Sequence, residues 1–336
     1  MRTQPRIGKR AVPGWSFTCA RARPKPKPPW DVVMPSNLIA AICMVVATAL
    51  FAATTLLAKA LGAGALGDPV HALQVSQARF VFGFLAVLAV ASLIPRGPAD
   101  LCAPAPHWVW HVIRTCLGFA GSGLVFAAVA RMPLADANAL SFLSPVVTML
   151  LAIPFLGEKV GRWRWAAAGL AFLGALILIR PGEGMIQPAA LMALGAALCM
   201  GSEGIFIKKL TSREPPRQIL IVNNAMGAVL ATAVGLWVFQ WPASAAVWAA
   251  LVGVGVLMVT GQLLFLIASR LGDASYIAPF FYLMLVWAAT WDLAVFGVVP
   301  DAVSLTGAGV IVAAGLMMAW REALARRTAT VLRTRA

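Results

Sequence analysis

Residues 122–131 read SGLVFAAVAR, and residues 261–270 read GQLLFLIASR. Phe126 aligns with Phe265 and Arg131 with Arg270, and an aspartate follows a few residues later in both copies. Similarity at a separation of somewhat less than half the chain length predicts that the chain has two related halves. In a strongly apolar chain, an internal repeat of this size is typical of membrane transporters.

The composition is that of a membrane protein. The chain has 336 residues, of which 61% are hydrophobic and 12% are charged, whereas soluble domains carry about 25% charged residues. The apolar residues form runs of about 20, the length that a helix needs to cross about 30 Å of hydrocarbon. We therefore predict an all-α integral membrane protein with ten transmembrane helices. The predicted spans are residues 37–61, 72–94, 108–130, 134–156, 163–180, 187–209, 217–240, 244–269, 273–297 and 302–320.

The charge distribution predicts the orientation of these spans. The chain carries 27 Lys and Arg against 12 Asp and Glu, a net charge of +15. Most of the basic residues lie in the two tails and in the links after even-numbered spans, which is the positive-inside bias. This places both termini in the cytoplasm and the chain in the inner (plasma) membrane. Basic tails beside anionic lipid account for the charge, so we expect the lipid bilayer, and no nucleic acid, as a partner.

Each half contains five predicted spans, and an odd number reverses the orientation of the second half. We therefore expect two inverted five-helix repeats, at residues 36–181 and 186–321. A basic, proline-rich cytoplasmic tail at residues 1–33 is expected to be disordered, because it cannot form an apolar core. Residues 322–336 are expected to form a second basic cytoplasmic tail. Met34 directly precedes the first span, and one hypothesis is that it is the true start of the natural chain.

A family resemblance follows from the segment at residues 133–181, PLADANALSFLSPVVTMLLAIPFLGEKVGRWRWAAAGLAFLGALILIRP. It resembles the hallmark of the drug/metabolite transporter superfamily, EamA-type branch: a Leu-Ala-Asp turn, a Ser-Pro helix, a Leu-Gly-Glu loop and a glycine-rich helix. Arg79 in QARFVFGFL resembles the Arg-Phe of the family's second helix, and Arg114 resembles the arginine that opens its third. The second half departs from the pattern, because Val298 stands where the first half has Glu158.

The resemblance implies a secondary transporter of small metabolites that works by alternating access. Our first expectation is export of amino acids or related amphiphilic compounds. The alternative is uptake of a vitamin- or nucleoside-like compound, of the riboflavin or S-adenosylmethionine type. The expected partner is a small-molecule substrate, with proton coupling as an option, and the sequence indicates no particular oligomeric state.

Ionisable residues inside the spans are candidates for the substrate site, since a charge at the bilayer centre costs about 2.5–3.5 kcal/mol on insertion scales. Glu203 lies between Gly201 and Gly204 in the sixth span. It could carry a proton or contact a cationic substrate group, and it could equally be a structural partner of Arg79 or Arg114. Those two arginines could in turn bind a substrate carboxylate, or act as snorkelling anchors and packing ion pairs.

The ninth span carries Asp292 together with Tyr276, Tyr282 and two tryptophans. An acid beside aromatic rings could bind an amine through charge and cation–π contact. The alternative is an aromatic belt at the membrane surface with a snorkelling Asp292. We favour the belt for Trp291 and a cavity position for Tyr282.

Uncharged polar residues and prolines point to the same spans. Asn138, Ser141 and Ser144 recur every three residues, which predicts one polar stripe along the fourth span, and Gln262 interrupts the eighth. Pro145 interrupts the fourth span and Pro279 its repeat mate, the ninth. Broken helices at matching positions of two halves are a pointer to a transport site.

The remaining alternative, a membrane-embedded enzyme, is disfavoured. The three histidines, His71, His107 and His111, fall in or beside loops, and the chain has neither a Gly-x-Ser-x-Gly elbow nor a phosphate-binding loop. The five cysteines have no paired, metal-type spacing. We therefore predict no enzymatic activity, no cofactor and no metal.

Overall fold

The computed structural model describes residues 36–93, 105–156, 161–180, 187–211, 213–242, 244–271 and 278–334. All regular secondary structure in these ranges is helical. The residues of the N-terminal tail 1–33, Met34, Glu158 and Tyr276 lie outside the described residues. The helices are α1 (Ser36–Gly62), α2 (Ala72–Leu93), α3 (Trp108–Val129), α4a (Leu134–Ser141), α4b (Ser144–Leu156), α5 (Arg162–Ile179), α6 (Pro188–Thr211), α7 (Pro216–Gly235), α8 (Ala245–Leu271), α9 (Leu283–Phe296), which follows a 3₁₀ turn at Ala278–Tyr282, and α10 (Ala302–Thr334).

Apolar helical stretches occur at all ten predicted spans. Within the described residues, seven helical stretches are long and apolar enough to cross a bilayer, with α4a and α4b together forming one of them. Shorter apolar stretches at Trp165–Ile179, Phe280–Phe296 and Ala302–Met318 belong to α5, α9 and α10. The predicted all-α membrane fold with ten spans is confirmed.

The fourth span is interrupted at Phe142 and Leu143, between α4a and α4b. Pro145 explains the position of the break. A proline has no N–H to donate to the carbonyl four residues earlier, and its ring clashes with that carbonyl. The residue four positions before Pro145 is Ser141, the last residue of α4a. The proline itself then lies in the first turn of α4b, where a missing N–H is harmless. The ninth span is also irregular, since Pro279 lies in its 3₁₀ turn.

The helices pack in pairs that persist when the two halves are exchanged. α1 packs on α8 as α6 packs on α3, and α1 packs on α9 as α6 packs on α4. α2 with α7 and α5 with α10 are pairs that the exchange maps onto themselves. In the α5–α10 pair the backbones come close because both contact residues are glycines: a Cβ on Gly307 would lie 3.0 Å from the Gly174 carbonyl oxygen. This exchange of contacts is the relation that repeated halves produce.

α10 extends beyond its apolar part. It continues to Thr334, so residues 322–334 of the predicted C-terminal tail are helical. Residues 320–334 contain neither glycine nor proline and are rich in Ala, Arg and Leu, which are strong helix formers. A basic composition therefore did not prevent helix formation here.

Candidate functional site

Asp292 of α9 links three helices at the predicted outer end of the bundle. Its side chain forms an ion pair with Lys59 of α1, and its other carboxylate oxygen accepts the backbone N–H of Leu134 at 2.8 Å. Leu134 begins α4a, so the carboxylate satisfies one of the free amides of that helix N-terminus. Asp292 is only 1% exposed. The snorkelling Asp292 that the sequence suggested is therefore wrong, and its carboxylate is occupied rather than open to an amine.

Two further links join the halves at the same end. Ser304 of α10 donates its hydroxyl to the Oδ2 atom of Asp136 in α4a at 2.8 Å. Arg180, at the end of α5, pairs with Asp301 at 2.5 Å. The hydrogen bond from Arg180 holds the pKa of Asp301 well below its usual range. Each of the three links connects a residue of the first half with a residue of the second, so together they close this end.

A histidine–glutamate cluster lies at the predicted cytoplasmic end. His111 Nε2 is 2.8 Å from Glu214 Oε2, and the backbone N–H of His107 donates to Glu214 Oε1 at 2.8 Å. Gln218 donates to Glu214 Oε2 at 3.0 Å. Burial would raise the pKa of Glu214, but these hydrogen bonds outweigh it and hold the pKa below its ordinary value. The cluster joins the start of α3 to the α6–α7 link, and so connects the halves at this end.

Glu203, Arg114 and Arg79 form a charged group inside the bundle. Arg114 Nε lies 3.3 Å from Glu203 Oε1, and Arg114 Nη1 lies 3.5 Å from the Ile219 carbonyl oxygen. Gly118 of α3 leaves room for the carboxylate, because a Cβ there would lie 3.0 Å from Glu203 Oε2. Glu203 and Arg114 are the charged residues that act electrostatically on Arg79. Of the two roles considered for Glu203, the pairing with Arg114 is the one with a direct contact.

Five aromatic rings, here called the aromatic cluster, meet where the two irregular spans cross. Phe281 of the 3₁₀ turn has ring centroids of three neighbours within 5.4–6.3 Å, and Tyr282 lies 5.5 Å from the ring of Phe142 at the break of α4. The members of the cluster are Phe51, Phe142, Phe265, Phe281 and Tyr282.

A pocket opens beside the aromatic cluster and is lined by Phe142, Pro145, Tyr282 and Gly315, among others. The Tyr282 side chain occupies the space that a Cβ on Gly315 would need. The cluster draws on α1, the α4 break, α8 and the start of the ninth span. Rings from both halves therefore pack around Phe281, beside two irregular helices.

α6, the helix that carries Glu203, packs against α4b next to the same break. A Cβ on Gly201 of α6 would meet the Ser144 carbonyl and Val147, and Thr148 donates to the Gly201 carbonyl at 2.8 Å. Glu203 follows Gly201 by two residues. The start of α4b thus has the aromatic cluster on one side and the charged segment of α6 on another, which makes this region the candidate substrate site.

Most of the polar residues predicted for the fourth span are satisfied locally. Asn138 donates to the Leu134 carbonyl and Ser141 to the Ala137 carbonyl, both at 2.8 Å. The break then separates them from Ser144, so the three do not form one open polar stripe. This differs from the sequence expectation, because small polar side chains in a helix can bond to the carbonyl one turn earlier.

Several buried polar atoms, in contrast, lack a hydrogen-bond partner among the described residues. They include Gln262 Oε1 on α8 and the indole Nε1 atoms of Trp287 and Trp291 on α9. The two indoles stack with centroids 6.3 Å apart. Enclosed indole nitrogens do not fit the headgroup belt expected for Trp291, since belt tryptophans direct their N–H to water and headgroups.

Sequence reasoning missed the aromatic cluster and the cross-half links. The repeat marked Phe265, which aligns with Phe126, and Phe281 lies two residues after Pro279. The contact between the two rings depends on helix packing, which the sequence does not indicate. His107, His111 and Glu214 carried no signal, because the two histidines lie more than 100 positions from Glu214 and the three form no motif; His111, expected in or beside a loop, is buried in the first turn of α3.

Comparison with known proteins decides the family. A family model described as the EamA-like transporter family matches the chain twice, over residues 38–180 and residues 187–320. The chain belongs to the EamA-like transporter family. It is a multi-pass membrane transporter, and the double match falls on its two halves.

Three relatives illustrate the range of the family. The chain is 32% identical over 254 residues to the riboflavin transporter of Rhizobium johnstonii, covering 74% of this chain and 82% of that protein. It is 28% identical to the pseudopaline exporter of Pseudomonas aeruginosa, covering 60% of this chain and 72% of the exporter. It is 27% identical to the S-adenosylmethionine uptake transporter of Rickettsia bellii, covering 76% and 87%.

The fold also has a counterpart among solved structures. One crystal structure covers 87% of this chain and 98% of its own, with a TM-score of 0.57 and 19% sequence identity. At this identity the likeness concerns the fold alone. The ten-helix arrangement is therefore one that an experimentally solved protein also has.

Proposed function

We propose that this EamA-family protein takes up flat, ring-containing solutes of the riboflavin type across the inner membrane. The observation that carries the proposal is the aromatic cluster, in which rings of both halves pack together at the irregular fourth and ninth spans. Rings held edge to face and offset bind a planar heteroaromatic system by stacking and exclusion of water. Riboflavin contains such a ring system.

The relatives support the uptake direction. The Rhizobium johnstonii riboflavin transporter and the Rickettsia bellii S-adenosylmethionine uptake transporter each match about three quarters of this chain. Riboflavin and S-adenosylmethionine both combine a heteroaromatic ring with a polar chain. We therefore propose a solute that also combines a heteroaromatic ring with a polar chain. Its transport involves no catalytic step.

The links between the halves suggest how access alternates. Solute entry from outside requires the Lys59–Asp292 and Arg180–Asp301 pairs to separate, while the Glu214 cluster holds the opposite end closed. Release requires the reverse. In the proposed orientation both termini are cytoplasmic, which is supported by the basic residues of the tails and even-numbered links.

Asp136 is the acid best placed to carry a coupled proton. Glu203 and Asp292 each have a direct cationic partner, whereas Asp136 contacts only the Ser304 hydroxyl and leaves Oδ1 without a partner among the described residues. The surrounding charges are Asp301, Arg180 and Asp292. We expect Asp136→Asn to make uptake independent of pH, and an unchanged pH profile in proteoliposomes would contradict this role.

The test of the uptake proposal is growth of a riboflavin-auxotrophic bacterial host that lacks its own flavin importer. Expression of this chain should restore growth at micromolar riboflavin and accumulate labelled riboflavin inside the cells. Phe281→Ala should lower uptake by about tenfold, because it removes the ring at the centre of the cluster. Phe172→Ala is the matched control, since Phe172 of α5 is 61% exposed on the bundle surface.

A second candidate function, export of amphiphilic metabolites, is favoured by the match to the pseudopaline exporter. The same proteoliposomes distinguish the two directions. Net riboflavin accumulation against its gradient supports uptake. Absence of riboflavin flux, together with a metabolite that accumulates inside a deletion strain of the source organism, supports export.

A further inference from the structure

Among the described residues, the acids buried in the bundle already have partners. Asp292 pairs with Lys59, and Asp136 accepts the Ser304 hydroxyl. Glu203 pairs with Arg114 at 3.3 Å. Arg114 also reaches the Ile219 carbonyl with Nη1. Arg114 therefore has both an ion-pair partner and a carbonyl acceptor, although its Nε makes no hydrogen bond among the described residues.

Arg79 of α2 is in a different situation. It makes no ion pair and no hydrogen bond with any residue that the structure describes, and its Nε is enclosed. Its contact is with its own neighbour: the guanidinium carbon lies 4.1 Å from the centroid of the Phe80 ring. Phe80 is 1% exposed and packs against Phe119 with ring centroids 6.2 Å apart. The ring also fills the space beside Gly227. Arg79 thus rests on a fixed aromatic support.

The charges around Arg79 do not balance. Two guanidinium groups and one carboxyl group leave at least one excess positive charge among Arg79, Arg114 and Glu203, which are the charged groups that act on Arg79. An uncompensated charge away from water is unfavourable, and it is stabilised by a counter-ion with good hydrogen-bond geometry. A guanidinium presents paired donors that match the two oxygens of a carboxylate or phosphate.

We infer that Arg79 is the binding residue for an anionic group, a carboxylate or phosphate, on the transported solute. This rests on the proposed transport function and adds that, among the ring-containing solutes proposed above, those that carry an acid bind more tightly than neutral ones such as riboflavin. Arg114 and Glu203 are positioning residues: their mutual pairing leaves Arg79 as the unpaired cation of the group. A neutral compound would leave Arg79 uncompensated.

The test compares pairs of related ligands in which one member carries an acid group and the other is neutral. The full chain in nanodiscs of phosphatidylcholine, which has no net charge, is titrated with nicotinate against nicotinamide and with riboflavin 5′-phosphate against riboflavin, at constant ionic strength. Binding is measured by the shift in thermal unfolding. We expect the acid of each pair to bind about tenfold or more tightly than its neutral partner, the effect of one charge-assisted hydrogen-bond pair.

Arg79→Gln should abolish this preference, while Arg79→Lys should keep part of it. Arg131→Gln is the matched control. Arg131 is exposed, donates to the Ala127 carbonyl of its own helix at 3.0 Å, and should leave the preference unchanged. Nanodiscs with an added anionic lipid distinguish binding of a solute anion from binding of a lipid headgroup. If lipid headgroups occupy the Arg79 site, the preference for acids disappears in those discs only.

Equal binding of acid and neutral partner by the unmodified chain overturns the inference, and so does a preference that survives in Arg79→Gln. Absence of any stabilisation by the acids at about 10 mM overturns it as well. If Arg79→Gln does not fold, the comparison within the unmodified chain and Arg79→Lys still decides. If riboflavin uptake fails but an Arg79-dependent preference for acids is observed, the proposed riboflavin-type substrate is wrong and the anion-binding role of Arg79 stands.

Discussion

Removal of one partner of the Lys59–Asp292 pair should destabilise the protein more than removal of both. Lys59→Met leaves the Asp292 carboxylate at 1% exposure with the Leu134 N–H as its remaining partner. Asp292→Asn leaves the Lys59 ammonium buried beside a neutral amide. Breaking a buried ion pair in this way costs about 3–5 kcal/mol, because an uncompensated charge remains.

The double variant Lys59→Met/Asp292→Leu removes both charges. Its main remaining defect is the unpaired Leu134 N–H, worth about 1–3 kcal/mol. Independent effects would instead sum to roughly 6–10 kcal/mol. The difference between the sum and the measured loss is the coupling free energy of the pair across the two halves.

Unfolding free energies of the purified protein, measured by SDS titration in mixed micelles, give all four values of this cycle. Arg131→Met serves as the surface control and should stay within about 0.5 kcal/mol of the unmodified chain. The reasoning is refuted if the double variant loses as much as the two single variants together. Single variants that lie within about 0.5 kcal/mol of the unmodified chain would refute it too.

Three further predictions follow from individual contacts. Gly315→Ala should destabilise by about 1–3 kcal/mol, because the Tyr282 side chain occupies that space, whereas Gly309→Ala in the same helix meets nothing within 4 Å and should be neutral in the same titration. Glu203→Gln should lower the unfolding free energy by about 3 kcal/mol and leave the pH profile of uptake unchanged; a lost pH dependence would make it the proton carrier. The ionised Glu214 side chain, whose pKa is lowered in the fold, contributes its full stabilisation above the ordinary glutamate pKa of about 4.3. This contribution is lost as the pH falls below that value. Glu214→Gln should therefore flatten the fall in unfolding temperature below that pH, and Asp68→Asn, an exposed loop acid, should not.

The spans were predictable because they depend on local composition. A run of apolar residues without charge forms a helix in a bilayer wherever its neighbours are, since every backbone polar group must be satisfied within the segment. α1 at Ser36–Gly62 and α3 at Trp108–Val129 lie within a residue of the predicted bounds. The exception is α10, where the charge of residues 322–334 suggested a tail and the helix propensity of the same residues dominated.

The cross-half contacts were not predictable, because they depend on which helix faces meet. Asp292 lies 233 positions from Lys59, and nothing in either segment marks them as partners. An isolated acid in an apolar helix has the same local signature whether it binds an amine, carries a proton or closes a packing contact. Burial and partner geometry separate these roles, as Asp292, Asp136 and Glu203 illustrate by having three different environments.

The polar links between the halves differ at the two ends of the bundle, although the helix packing is unchanged when the halves are exchanged. We expect this difference to decide which end is closed in the absence of solute. Inverted halves with exchangeable packing give the two access states similar packing energies. Lys59 has Lys208 as its equivalent in the repeat, but the position that aligns with Asp292 when Glu158 is aligned with Val298 is Ala152. The Lys59–Asp292 pair therefore has no repeat-related counterpart at the other end, where the His111–Glu214 contact joins the halves instead. Each 1.4 kcal/mol by which such a pair favours one closed end shifts the two states by about tenfold. Residues that differ between the halves thus decide which end opens first, while the residues shared between them build the frame.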